Sequence, residues 1–164
     1  GCEGMFENEK VTTAQLVAQY KDEVMALAKY LPYFEKKSGA SVMSSYVPEN
    51  ASATTMRIPT YDSTLLAFVK DADKSIFMDR NYDYVYKKYS IRSVNDEMRM
   101  IQRATIREMN VFGAILSKYI MRGRTKGAVW NEGVVNGIYY ALILRMKELI
   151  EFWDMPYHDL EELK

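Results

Sequence analysis

The side chains with the clearest capacity for chemistry crowd a predicted turn at residues 123–127. Arg122, Arg124 and Lys126 bring positive charge there, and Thr125 can cap the helix that follows. Unpaired N–H groups and the positive end of the helix dipole allow such a turn to hold a phosphate or a carboxylate. The alternative is structural: Arg122 caps the preceding helix's carbonyls, while Arg124 and Lys126 pair with neighbouring acids.

A second candidate surface combines aromatic and basic side chains: Tyr82, Tyr86, Lys87, Arg99 and Arg103. Rings interleaved with cations can stack bases or sugars, as single-strand-binding surfaces do. The competing interpretation is that these tyrosines are half-buried packing residues with solvated hydroxyls. Arg99, Arg103 and Arg107 follow a spacing of four, which makes one basic stripe on a continuous helix. If Thr105 caps a new helix, the stripe is broken.

The sequence gives little support for a metal site or a catalytic nucleophile. His158 and Cys2 are the only histidine and cysteine, and they lie at opposite ends of the sequence, so neither a Cys/His metal site nor a Cys–His dyad is indicated. The phosphate-binding loop, the dinucleotide-binding glycine motif and the nucleophile elbow are also missing. We therefore expect no metal and no cofactor, and we assign no catalytic residue.

Helices are the elements that must position these groups. A capping box at Thr12 predicts a first helix as far as about Leu31, with a break at Pro32. Capping signals predict further helix starts near residues 62–63, 79, 93 and 105. Residues 40–60 lack any period and are predicted to form a long surface connection, with a short extended piece around residues 55–58.

The C-terminal third predicts an antiparallel αα-hairpin. One apolar face extends from Ile106 to Ile120, with Gly123 as the residue just beyond the helix, and a second runs from about residue 130 to residue 153. Gly133 and Gly137 lie within the second helix, where glycine costs roughly 1 kcal/mol relative to alanine. We therefore expect a backbone or a large side chain to cross closely at these two positions.

Length and composition indicate one domain. The chain has 164 residues, of which 48% are hydrophobic, enough to bury a core without disulfides or metals. We predict an all-α fold, a single-domain orthogonal or antiparallel bundle of about five to seven helices ending in the αα-hairpin. The domain is expected to span residues 12–153, with a disordered N-terminal tail at 1–11 and a C-terminal tail at 154–164.

Charge is balanced overall but unevenly distributed. The 22 basic and 22 acidic residues cancel, which disfavours a protein built mainly to neutralise phosphates. Residues 80–130, however, carry 11 basic and 4 acidic side chains, a net charge of +7, between two acidic flanks. This middle third either neutralises its neighbours across packed helices or faces an anionic partner.

The order of several short motifs resembles a bacterial family catalogued only as a domain of unknown function, number 6508. The motifs are MRIPTYD at residues 56–62, DRNYDY at 79–84, GRTKG at 123–127 and RMKEL at 145–149. The resemblance covers residues 16–152. It implies a small helical fold and carries no established activity, cofactor or catalytic residue.

These observations favour a non-catalytic interaction or accessory protein of bacterial type. Cytoplasmic residence is the default for a chain with one cysteine, and no segment is long and apolar enough to cross a membrane. The expected partner is another protein or a second copy of the chain, and nucleic acid is not favoured. The first alternative is an anion or nucleic-acid binding module that uses the basic middle third. The second is an enzyme with an unrecognised site.

Overall fold

The computed structural model describes residues 11–46 and 58–155. In this part of the chain eight α-helices, one 3₁₀ turn and one β-hairpin are formed. The helices are α1 Thr13–Ala28, α2 Leu31–Lys37, α3 Ser63–Asp73, α4 Tyr82–Lys88, α5 Val94–Arg103, α6 Met109–Gly123, α7 Ala128–Val135 and α8 Ile138–Trp153. The strands are β1 Met43–Tyr46 and β2 Ile58–Tyr61, and the 3₁₀ turn is Ile106–Glu108.

The predicted all-α class is confirmed, because the small hairpin is the only sheet in the described ranges. The described residues form eight helices, one above the predicted upper figure, since the C-terminal segment is divided in two. None of the described helices is both long and apolar enough to span a bilayer. Cys2, His158 and most of the two predicted tails lie outside the described residues, as do positions 55–57 of the predicted extended piece.

Local capping signals identify three of the described element starts correctly, among them Ser93, whose hydroxyl accepts a hydrogen bond from the Asp96 N–H at 3.1 Å at the start of α5. Thr12 and Gln15 form a reciprocal capping box at α1, with N–H to side-chain distances of 3.1 and 2.8 Å. Thr105 and Glu108 form a second box. Because Thr105 begins a new element, the predicted stripe that would have continued from α5 to Arg107 is broken.

Two other predicted caps act differently. The Asp62 side chain makes no cap hydrogen bond to α3 and instead accepts one from the Tyr33 hydroxyl at 3.0 Å. Asp79 accepts a hydrogen bond from the Asn81 N–H at 2.8 Å, which closes a turn ahead of α4. Helix α4 therefore begins at Tyr82 rather than at residue 80.

The core is organised around α6 and α8. Helix α6 is buried along nearly its whole length, because α3, α4, α5 and α7 all pack against it. Helix α8 contributes a second apolar face that contacts α1, α2 and α5. Phe34, Phe68 and Tyr139 meet at the centre, where ring centroids lie 4.8–5.4 Å apart. Such tilted and edge-on contacts are the geometries that aromatic quadrupoles prefer.

The C-terminal hairpin is formed, but its second arm is two helices. The arm runs antiparallel to α6: the Arg145 guanidinium donates to the Ala104 carbonyl, and the Trp130 indole donates to the Ile120 carbonyl. Helix α7 ends at Val135, and Gly137 adopts a φ of +79° before α8 begins. The prediction of one continuous helix is therefore wrong, since apolar periodicity continues through a backbone reversal that only glycine adopts readily.

Of the three glycines of this region, Gly133 has the role predicted for it, and Gly123 and Gly137 do not. Gly123 belongs to α6, and a Cβ added there would stand 2.0 Å from the Trp130 ring. The close crossing predicted at Gly133 is present, because a Cβ would stand 2.2 Å from the Tyr139 ring. At Gly137 an added Cβ would make only an ordinary contact at 3.7 Å. The positive φ of this residue, and not a closely packed neighbour, is therefore the reason that the position is occupied by glycine.

The β-hairpin docks onto α7. Strands β1 and β2 pair antiparallel with Met43 opposite Tyr61, and they lie mostly within residues 40–60, which were predicted to form a long surface connection with a short extended piece around residues 55–58. The Asn131 side chain accepts a hydrogen bond from the Val42 N–H at 2.8 Å, and the Tyr61 ring packs edge-on against Trp130. The hairpin is thus tied to the helix that follows the basic turn.

Candidate functional site

A row of cations follows one side of α6 and the turn after it. Lys118 and Arg122 are four residues apart on the helix, and a 3.1 Å bond from the Lys126 N–H to the Arg122 carbonyl places Lys126 one turn further on. Residues at this spacing lie on the same helix face, about 6 Å apart along the axis. The charges therefore point to one side of the molecule.

Two adjoining pockets open along this row. The first, of about 450 Å³, lies between α4, the α4–α5 connection and α6. The second, of about 390 Å³, lies between α6, the following turn and α7. Lys118 and Arg122 line both pockets, and we call the two together the α6 groove. Its cations are Lys87, Arg92, Lys118, Arg122 and Lys126, and its carboxylates are Asp83 and Glu132.

Beneath the junction of the two pockets lies a buried carboxylate. Glu97 is fully buried and accepts three hydrogen bonds: from the Tyr86 hydroxyl at 2.6 Å, the Tyr119 hydroxyl at 2.7 Å and the Lys118 ammonium at 3.0 Å. Tyr119 in turn accepts a bond from the Asn136 side chain at 3.0 Å. A buried charge needs such pairing to be tolerated. The network therefore joins α4, α5, α6 and the α7–α8 break.

The two tyrosines of this network stay protonated far above neutral pH. Burial, reinforced by the adjacent Glu97 charge, raises the pKa of Tyr86 and that of Tyr119 well above the ordinary tyrosine value. Both hydroxyls therefore act as donors to Glu97. The Lys118 ammonium also lies 5.2 Å from the centroid of each of the two rings, within the cation–π range. Lys118 is thereby held at the junction of the two pockets.

The cations that face the groove differ from Lys118 in having no acidic partner. Among residues 11–46 and 58–155, the side chains of Lys87, Arg92, Arg122 and Lys126 form no ion pair. All four are exposed. Unpaired guanidinium and ammonium groups can form charge-assisted hydrogen bonds with an incoming phosphate or carboxylate. The carboxylate of Glu97 and the hydroxyls of Tyr86 and Tyr119 are thus bonded to one another, while the four cations without an ion pair face solvent.

Comparison with known proteins identifies the family of the chain. The profile of a family of unknown function (DUF6508) matches residues 19–152. The chain belongs to this family. No curated protein and no solved structure is significantly similar to it. The DUF6508 match includes every residue that lines the α6 groove, so the groove is part of the family domain.

Most members of the two candidate groups meet in this one groove. Tyr82, Tyr86 and Lys87 line the first pocket, and Thr125 and Lys126 line the second. Arg122, the remaining residue of the turn that faces the groove, lines both pockets. The two groups were predicted to form separate surfaces, and α6 brings them together.

Three candidates lie elsewhere. Arg124 forms an ion pair with Asp73 of α3, as the structural alternative predicted for it. Arg99 pairs with Asp96 at 2.8 Å, one turn away on α5. Arg103 is exposed at the end of α5, outside both pockets.

Thr125 does not cap the following helix as predicted. Its hydroxyl donates to the Arg122 carbonyl at 3.3 Å, and Gly127 is the N-cap residue of α7, without a side-chain bond.

Among the described ranges there is no group of three or more His, Cys, Asp or Glu residues arranged to hold a metal ion.

Three residues of the site were missed from the sequence: Glu97, Lys118 and Tyr119. Lys118 carried a signal, because it continues the spacing of Arg122 and Lys126 by one helical turn. No feature of the sequence marked Glu97 as a site residue, because it lies in a polar helix start next to Asp96 and only tertiary packing buries it.

Proposed function

We propose that the protein is a non-catalytic cytoplasmic binding protein that engages an anionic partner along the α6 groove. The observation that carries the proposal is the shared wall of the two pockets, where Arg122 is exposed and has no acidic partner in the described part of the chain. Five cations against two carboxylates give the groove lining a net charge of +3. Even with the buried Glu97 included, the net charge is +2.

The buried network supports binding rather than acid–base chemistry. Glu97 has both oxygens occupied by three donors, and it has no exposed surface from which to take a proton. Besides the exposed carboxylates of Asp83 and Glu132, the groups that meet solvent in the groove are guanidinium, ammonium, hydroxyl and aromatic side chains. Such groups recognise negative charge and planar surfaces.

The experiment is calorimetric titration with inorganic polyphosphate at low salt. Arg122→Ala should weaken binding about tenfold, the effect of losing one charge-assisted contact. Arg103→Ala is the matched control, because Arg103 is also exposed and forms no ion pair with any described residue, but lies outside the groove. The Arg103→Ala variant should bind polyphosphate with the affinity of the wild type. Absence of binding, or equal losses in the two variants, would contradict the proposal.

A further inference from the structure

The α6 groove also carries information about the shape of its ligand. Its cations are distributed rather than gathered at one point: Lys87 and Arg92 line the first pocket, Lys118 and Arg122 the junction, and Lys126 the second. Along α6 the spacing is about 6 Å per cation. A single phosphate or carboxylate would engage only part of this row, whereas a chain with regularly repeated charges can contact all of it.

The first pocket adds aromatic surface beside that charge. Tyr82 is half-buried there, and its ring packs edge-on against Tyr86 with a centroid distance of 6.3 Å. Tyr86 is already bonded to Glu97 and covered by Lys118, so among the described residues that line this pocket Tyr82, which is only partly buried, is the ring that can receive a planar group. Base stacking on an aromatic side chain is the usual partner of a basic groove in single-strand binding.

Resting on the function proposed above, we propose that the ligand of the α6 groove is a single-stranded nucleic acid. Its phosphates follow Lys118, Arg122 and Lys126, and one unpaired base stacks on Tyr82. An acidic peptide would use the cations but not the ring. A double helix keeps its bases within the stack and would offer Tyr82 no free face.

The test measures anisotropy of a labelled oligothymidylate of about ten nucleotides, within the usual range of single-strand sites. Tyr82→Leu should weaken binding at least about fivefold, because a stacked base is lost. Tyr82→Phe should retain affinity, since the ring remains. Tyr84→Leu is the control on the same helix, because Tyr84 is 68% exposed and lies outside the groove.

Salt dependence tests the phosphate contacts separately. Arg122→Ala and Lys126→Ala should each lower the slope of log affinity against log salt by about 0.7, the value for one phosphate contact in a single strand. Arg103→Ala should leave the slope unchanged. A slope that none of these variants alters would overturn the assignment of phosphates to this row.

Three competing probes separate this inference from the proposed function. Polyphosphate that binds through Arg122, together with an oligonucleotide affinity unaffected by Tyr82→Leu, would overturn the nucleic-acid inference and leave the anionic groove standing. Tighter binding of polyglutamate or of duplex DNA than of the single strand would also overturn it. Failure of every anion to bind would overturn both proposals.

Discussion

At the scale of single residues, Glu97 decides how the site is built. Its carboxylate is fully buried, and its three donors come from α4 and α6. Only because these donors converge can a charge remain in the interior. The same bonds hold Lys118 at the junction of the two pockets. One acidic residue therefore both stabilises the helix packing and positions a cation of the groove.

Removing this carboxylate should be costly. We expect Glu97→Ala to lower the free energy of unfolding by about 3–5 kcal/mol, because the Lys118 charge and two tyrosine hydroxyls lose their partner. Urea denaturation measures the change. Glu148→Ala, at an exposed glutamate of α8, should change stability by no more than about 0.5 kcal/mol. A small loss for Glu97→Ala would contradict the proposed importance of the network.

Alkaline pH provides a second test at this scale. In the folded state the pKa of Tyr86 and that of Tyr119 are raised, while in the unfolded state tyrosine titrates near pH 10. Their contribution to stability is therefore complete below about pH 10 and is lost as pH rises above it, because the unfolded state releases protons first. We expect the free energy of unfolding to fall less steeply above this pH in Tyr86→Phe than in the wild type. Identical slopes would contradict the assignment.

At the scale of elements, predictions succeeded where the signal is local. The capping boxes at Thr12 and Thr105 need only four consecutive residues, and both are formed. The break between α7 and α8 escaped prediction because apolar spacing continues across it. It depends on the Asn136 side chain, which accepts the Ile138 N–H at 2.9 Å, and on the positive φ of Gly137.

Substitution of Gly137 distinguishes a break from a continuous helix. In a helix interior, Gly→Ala stabilises by roughly 1 kcal/mol. At a left-handed position alanine costs about 1–2 kcal/mol, so we expect Gly137→Ala to lower the thermal midpoint. Gly137→Asn should cost less, because asparagine tolerates this conformation. A midpoint raised by alanine would show that the helix is continuous.

The candidate site was predicted in pieces for a related reason. The tyrosine-rich group on α4 and the basic turn after α6 each have a recognisable composition, but about 40 residues separate them. What joins them is the packing of α4 on α6, with Lys118 and Glu97 between. Long-range pairing of this kind has no signature in residue spacing. The tyrosine-rich group and the basic turn were therefore each predicted, but the contacts of Lys118 and Glu97 that join them were not.

At the scale of the whole molecule, a net charge of zero is combined with an uneven distribution of charge over the surface. Part of the positive excess in residues 80–130 is neutralised across the fold, as in the pair between Arg124 and Asp73. The remainder includes Lys87, Arg92, Arg122 and Lys126, which converge on the α6 groove without acidic partners in the described part of the chain. The overall charge therefore says little about binding here, because the arrangement of charge determines it.

Lysine footprinting can show directly whether an anion binds in the α6 groove, because it locates the bound anion on the protein surface. The protein is acetylated with and without inorganic polyphosphate, and each lysine is quantified by mass spectrometry. We predict that polyphosphate protects Lys87 and Lys126, which line the groove, while Lys36 and Lys70 react as before, since both are exposed outside it. Protection of Lys36 and Lys70 with Lys87 and Lys126 left reactive would contradict the α6 groove as the binding site.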